Sequence, residues 1–167
     1  ALDGYADYEQ LEGGVKKLFG EDAQKLVMEY AKNAYKTAGL CANEYMDTVT
    51  SFSASLISSL GNDTVAAAKY ADIAITDMAD NANTFGTSME DIQNAYKGFS
   101  KQNYTMLDNL KLGYGGTQKE MERLLEDASK LSGVKYNISN FSDIIEAIHV
   151  IQERQGIAET TANEAAT

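Results

Sequence analysis

An all-α fold is the class this sequence predicts, and three features predict it. Proline is absent while glycine occurs thirteen times. Gly20, Gly39, Gly61, Gly86, Gly133 and Gly156 sit where an apolar stripe stops, and a glycine just past a helix can take the left-handed conformation that ends it without a Cβ penalty. Between those glycines apolar residues recur at i, i+3 and i+4, the spacing of one helical face. Only VKYNIS, residues 134–139, alternates like a strand, and a lone strand has nothing to pair with. About seven amphipathic helices with short, glycine-rich connections are expected.

The first stripe, Leu26 or Val27 with Tyr30, Ala34 and Ala38, predicts a helix over 22–38 with Asp22 as its N-cap. Tyr45, Val49, Phe52, Leu56 and Leu60 predict the second, with Asn43 ahead of it. Its run from Thr48 to Gly61 is uncharged but rich in Ser and Thr. That composition reads as a packed helix, because a membrane span needs ~20 mostly apolar residues. From Asn62 onward Ala68, Ala71, Ile75, Met78, Ala82 and Phe85 step by three and four. The alanines of this heptad-like seam permit close helix approach. Its about two and a half heptads fall short of a coiled coil, so it is read as core, with self-association as the alternative.

Thr87 and Glu90 read as a capping box opening a helix that carries Met89, Ile92, Tyr96 and Phe99. A short segment from Met106 to Leu112 leads into LKLGYGGTQKEMERLL, residues 110–125. Its glycines have neither the Walker spacing nor that of a dinucleotide fingerprint. Thr117 and Glu120 instead form T-x-x-E, a second capping box. Gly113, Tyr114, Gly115, Gly116 and Thr117 are therefore read as a structural loop and candidate hinge. A boundary falls there, between an N-terminal helical region, residues 1–112, and a smaller C-terminal helical region, residues 113–167, unless the two form one continuous domain. Met121, Leu124, Leu125, Ala128 and Leu131 make the next face, and Phe141, Ile144, Ile145, Ile148 and Ile151 the most apolar one. Thr161 with Glu164 is a third capping box close to the last residue, and the first residue is not methionine. The sequence reads as a piece of a longer protein.

The net charge is −11. From Thr37 to Tyr96, Glu44, Asp47, Asp63, Asp72, Asp77, Asp80, Glu90 and Asp91 face one base, Lys69. Such a segment repels phosphate, and direct nucleic-acid binding, which needs a basic stripe to displace counterions, is not expected of it. The N-terminal ALDGYADYEQ is acidic and has no apolar core, unlike a secretory signal. Cys41 is the single cysteine; it cannot form an internal disulfide, fits a reducing compartment, and is expected to be a small buried hydrophobe.

No catalytic constellation emerges. His149 is the single histidine and is expected at a helix surface or core edge, since metal sites need ligand partners at set spacings. GFSKQ has Gln102 where a nucleophile elbow requires glycine. Asp77 with Asp80 and Glu122 with Glu126 share helix faces, which usually means a solvated face; a hydrolase using such pairs is the remaining enzymatic alternative. A calcium loop from Asp80 fails, because Ala82 and Phe85 stand where an oxygen ligand and a glycine are needed. No cofactor and no metal is expected. Among ten tyrosines, Tyr104 and Tyr114 fall near loops and suit a protein interface, while Tyr30, Tyr45 and Tyr96 lie on core stripes.

Residues 93–136, QNAYKGFSKQNYTMLDNLKLGYGGTQKEMERLLEDASKLSGVKY, and 141–167, FSDIIEAIHVIQERQGIAETTANEAAT, carry a resemblance. They closely resemble the tail tape measure proteins of long-tailed bacteriophages and prophages, in particular the minor-tail-protein region in those of Gram-positive gut bacteria. AGLCANEYMDTVTSFSASLISSLGNDTVAAAKYADIAITDMADNANTFG, residues 38–86, is similar to the same region. The likeness spans about residues 20–167, and the glycine loop with its following helix is its most specific stretch. It implies a structural role: a helical ruler in the growing tail tube, coated by assembly chaperones, along which tube subunits polymerise. Implied partners are the tail tube protein and tail assembly chaperones, with homo-oligomers in the tail lumen. The implied location is the virion, assembled in the host cytoplasm. The resemblance brings no catalytic residues. A generic helical adaptor is the alternative, and membrane segments or a cell-wall hydrolase would lie outside these residues.

Overall fold

Gly20 divides the longest helix of this chain. The computed structural model describes residues 2–166, with side chains for residues 7–163. Helix α1 runs Leu2–Ala38, but Gly20 at φ 81°, ψ 171° breaks it into two limbs. Then follow α2 (Ala42–Ser59), α3 (Thr64–Phe85), α4 (Met89–Ser100), a 3-10 turn (Leu107–Leu110), α5 (Gln118–Ser132), α6 (Phe141–Arg154) and α7 (Thr160–Ala166). Among the described residues the chain is 77% helical and has no strand, as an all-α reading expects.

The helix starts differ from expectation in instructive ways. The second limb of α1 is the expected helix 22–38, but Gly20 rather than an Asp22 cap marks its start. The first limb goes beyond that expectation; it forms because Val15 and Phe19 are buried, with Leu11 and Leu18 packed beside them. Helix α2 starts after Cys41, not Asn43, and the Glu44 carboxylate reaches back to accept from the Cys41 N–H at 3.0 Å. Cys41 is exposed there, so the expected buried thiol is corrected. Helix α4 is capped by Ser88, whose hydroxyl accepts from the Asp91 N–H, and not by Thr87 with Glu90. Thr87 is already committed to the end of α3: Gly86 is left-handed and the Thr87 N–H donates to the Ala82 carbonyl at 3.0 Å. The strand-like residues 134–139 form an irregular connection. For the third capping box, Thr161 lies in the first turn of α7, while the Glu164 side chain lies outside the described residues.

Helix α3 is the axis of the molecule, packed by α1, α2, α4, α6 and α7. It buries Ala67, Ala68, Ala71, Ala74, Ile75, Met78, Ala79 and Ala82, together with the polar Asp77, Asp80 and Asn81. The expected seam is thus enclosed by the chain itself: Ala71, Ile75 and Met78 have no exposed surface, and Phe85 is half-buried at the rim. Its methyl side chains let α1 and α2 approach closely, while Ile75 and Met78 each contribute about 1.5–3 kcal/mol by burial. Helix α6 rests on α2, α3, α4 and α5. One hydrophobic cluster runs from Val15 through Leu110 and Leu112 to Met121 and Ile157, so the two regions on either side of the glycine loop share a core.

Candidate functional site

The glycine loop is built by α5. Thr117 is the N-cap of that helix, and its hydroxyl accepts from the Glu120 N–H at 3.1 Å. The other half of the expected box differs: Glu120 reaches past Thr117 and accepts from the Gly115 N–H at 3.1 Å. Arg123, one turn on, donates to both Glu120 oxygens at 2.7 and 3.0 Å and to the Gly113 carbonyl at 2.8 Å. Its guanidinium lies 4.2 Å from the centre of the Tyr114 ring, and the Tyr114 hydroxyl donates to Asp127 at 2.6 Å. These bonds hold the Glu120 carboxyl down to about 2, through Arg123 first and the Gly115 N–H second. Gly113 needs its φ of 98°. Gly116 needs its bare Cα, because Thr105 lies against it. Through these contacts residues 113–117 form a braced clasp at the head of α5.

The second cluster lies where α6 meets α3. His149 Nδ1 is 3.0 Å from each Asp77 carboxylate oxygen, and Nε2 is 2.5 Å from Glu153 Oε1. Asp77 and Asp80 are each 1% exposed, which corrects the expected solvated face. Asp80 accepts from the Glu159 N–H at 2.8 Å and the Thr161 N–H at 2.9 Å, so a carboxylate from α3 caps α7 from outside that helix. Buried Asn81 donates to the Leu110 carbonyl at 2.9 Å and to Gln152 Oε1 at 2.8 Å, and Gln152 donates to the Asp77 carbonyl at 3.1 Å. Sequence reasoning passes over Asn81 and Gln152. The signal is present: Gln152 continues the Ile145–Ile148 stripe by four, and Asn81 follows Met78 by three.

A carboxylate oriented on an imidazole is also how a catalytic base is held, so its protonation decides what it can do. The Asp77 hydrogen bond and charge, with Glu153 behind them, raise His149 to about 9. Burial pushes the Asp77 carboxyl up to about 6, against the pull of the imidazolium. The paired carboxylates favour the protonated ring, in which both nitrogens donate, one to Asp77 and one to Glu153. The arrangement pins two helices. The cleft beside it, about 350 Å³, is lined by Asp72, Ile73, Thr76, His149, Glu159 and their neighbours. Glu122 and Glu126 line a different depression with Leu125 and Tyr136, so they do not converge with Asp77.

Of the tyrosines, Tyr104 is 7% exposed and stacks on Phe99, not at a surface as expected; Tyr114 is half-buried in the clasp. Tyr45 and Tyr96 are buried and Tyr30 is half-buried. Among the described residues no group of three or more His, Cys, Asp or Glu side chains is arranged to hold a metal ion, and no helix is long and apolar enough to cross a membrane. Compared with protein-family models, curated proteins and solved structures, the chain finds no match.

Proposed function

We propose that this chain is a structural segment of a bacteriophage tail tape measure protein, acting in tail assembly and tail-length determination through protein contacts. The observation that carries the reading is where the buried polar groups point. Asp77, Asp80, Asn81, His149 and Gln152 direct their hydrogen bonds at neighbouring helices, joining α3 to α6 and α7. Such a network serves a body with a fixed outer surface, which is what a contact module requires. The most specific stretch of the resemblance, residues 110–125, is the braced clasp at the head of α5. The strongly acidic composition favours protein partners over DNA. In this reading the surface meets the tail tube protein, assembly chaperones or other copies in the tail lumen, and the chain resides in the virion.

The test is an in-frame deletion of residues 20–167 from the parent gene, followed by electron microscopy of the assembled particles. Shortened tails are expected, with an upper bound of about 220 Å, the length these residues would span as one continuous helix. Tails of unchanged length on particles that still assemble would reject the reading.

A further inference from the structure

His149 is the one basic side chain lining the cleft between α1, α3, α6 and α7 among the described residues. Asp77 of α3 meets one ring nitrogen and Glu153 of its own helix meets the other. Asp72 and Asp80 of α3 and Glu159 before α7 line the same cleft, where α1 and α7 contribute Thr37 and Ala162. On the core side, fully buried Tyr96 of α4 feels the Asp77 charge. We propose that His149 is a proton-operated pin: protonated, it holds the C-terminal end of α6, and the connection to α7, against α3, and losing the proton releases that end.

The geometry supplies the mechanism. A neutral imidazole has one N–H and can donate to one carboxylate only. Deprotonation therefore breaks one of the two contacts and leaves the 1% exposed Asp77 carboxylate without its counter-charge, and an unpaired buried charge is strongly unfavourable. The disturbance has a short path outward. Gln152 holds the Asp77 carbonyl, the Ile157 N–H donates to the Gln152 carbonyl at 2.9 Å, and Asp80, one turn from Asp77, caps α7. Direction follows from the shift. A histidine raised from 6.5 to about 9 lends stability that is complete below about 6.5 and is lost as pH rises through about 9. Acid does not open the pin, because Asp77 then becomes a neutral carboxyl and no charge is stranded in the core. This inference is independent of the tail assignment.

The single histidine makes the test direct: its ring protons are followed by NMR against pH, while amide hydrogen exchange is measured at residues 149–161. In the wild-type chain the ring should titrate well above 6.5. Over the same pH range, exchange should rise about tenfold or more beyond the intrinsic base-catalysed rate. His149→Gln should show the faster exchange already at neutral pH, and Asp77→Asn should remove the excess alkaline acceleration. A ring titrating at or below 6.5, or exchange that follows only the intrinsic rate, would overturn the proposal, and both readings come from the wild-type chain even where a variant does not fold.

Discussion

The carbonyl oxygen of Thr105 occupies the place beside Gly116 where a side chain would begin: a Cβ there would lie 2.3 Å from that oxygen. The obstacle is backbone, so it cannot swing aside as the tip of a flexible side chain would. Gly116→Ala should therefore push the clasp away from the segment before the 3-10 turn and destabilise the fold by about 2 kcal/mol. Gly113→Ala is the control. Space around it is open, but its φ of 98° strains an L side chain, and a cost of about 1 kcal/mol is expected. Urea denaturation of both variants checks the order; equal stability of Gly116→Ala and wild type would mean that Thr105 is free to move.

Arg123 braces the clasp through a forked contact with Glu120, a bond to the Gly113 carbonyl and its place over Tyr114. Lysine cannot reproduce a planar fork and a stacked face together. Arg123→Lys should lower the melting temperature and speed amide exchange at residues 113–117. The Glu120 carboxyl is lowered from 4.5 to about 2. Its contribution is therefore present above about 4.5 and is lost as pH falls towards about 2. Exchange at the Gly115 amide, corrected for its intrinsic rate, should accelerate across that acid range in the wild type and show no such step in Glu120→Gln. A step of equal size in the variant would assign the acid opening to another group.

The fold was legible because helices announce themselves locally. Capping acceptors, terminal glycines and the 3.6-residue period all act within a few residues, so most of α2 to α6 could be placed without knowing what packs on what. The errors fall where a neighbour decides. Thr87 looks like a cap until the end of α3 claims its backbone, and Asp77 with Asp80 looks solvated until α6 and α7 arrive to cover them. Glu120 satisfies Gly115 in place of its own cap because the loop folds back over the first turn of α5. Gly13 and Gly14 dilute the first stripe, so the N-terminal limb of α1 shows only through Val15 and Phe19.

Asn81 and Gln152 form a polar joint inside the core, each fully buried. Removing Asn81 leaves the Gln152 Oε1 and the Leu110 carbonyl without their donor, and removing Gln152 leaves the Asp77 carbonyl without its own. A stranded buried group costs about 1–3 kcal/mol. Asn81→Leu should be destabilising by roughly that much, and Gln152→Leu likewise, because it also releases the Asp77 carbonyl. The double variant removes both ends of one bond and should lose less than the sum of the singles, giving a coupling of about 1 kcal/mol in a double-mutant cycle. Strict additivity would mean that the two amides hold the core separately.

Ala71 tests whether the alanine seam belongs to this chain alone. It has no exposed surface, on the helix that five others enclose, whereas Ile73 two residues on is 37% exposed. Glutamate at 71 must either carry its charge into the core or give it up, and with a whole fold worth about 5–15 kcal/mol neither leaves a stable protein. Ala71→Glu should lose its helical circular dichroism or accumulate as insoluble chain, while Ile73→Gln, which adds no charge to the acidic cleft that Ile73 lines, should stay folded. Light scattering separates this from self-association. A wild-type oligomer that Ala71→Glu converts into a folded monomer would place the seam between subunits, and a collapse of the fold places it within one.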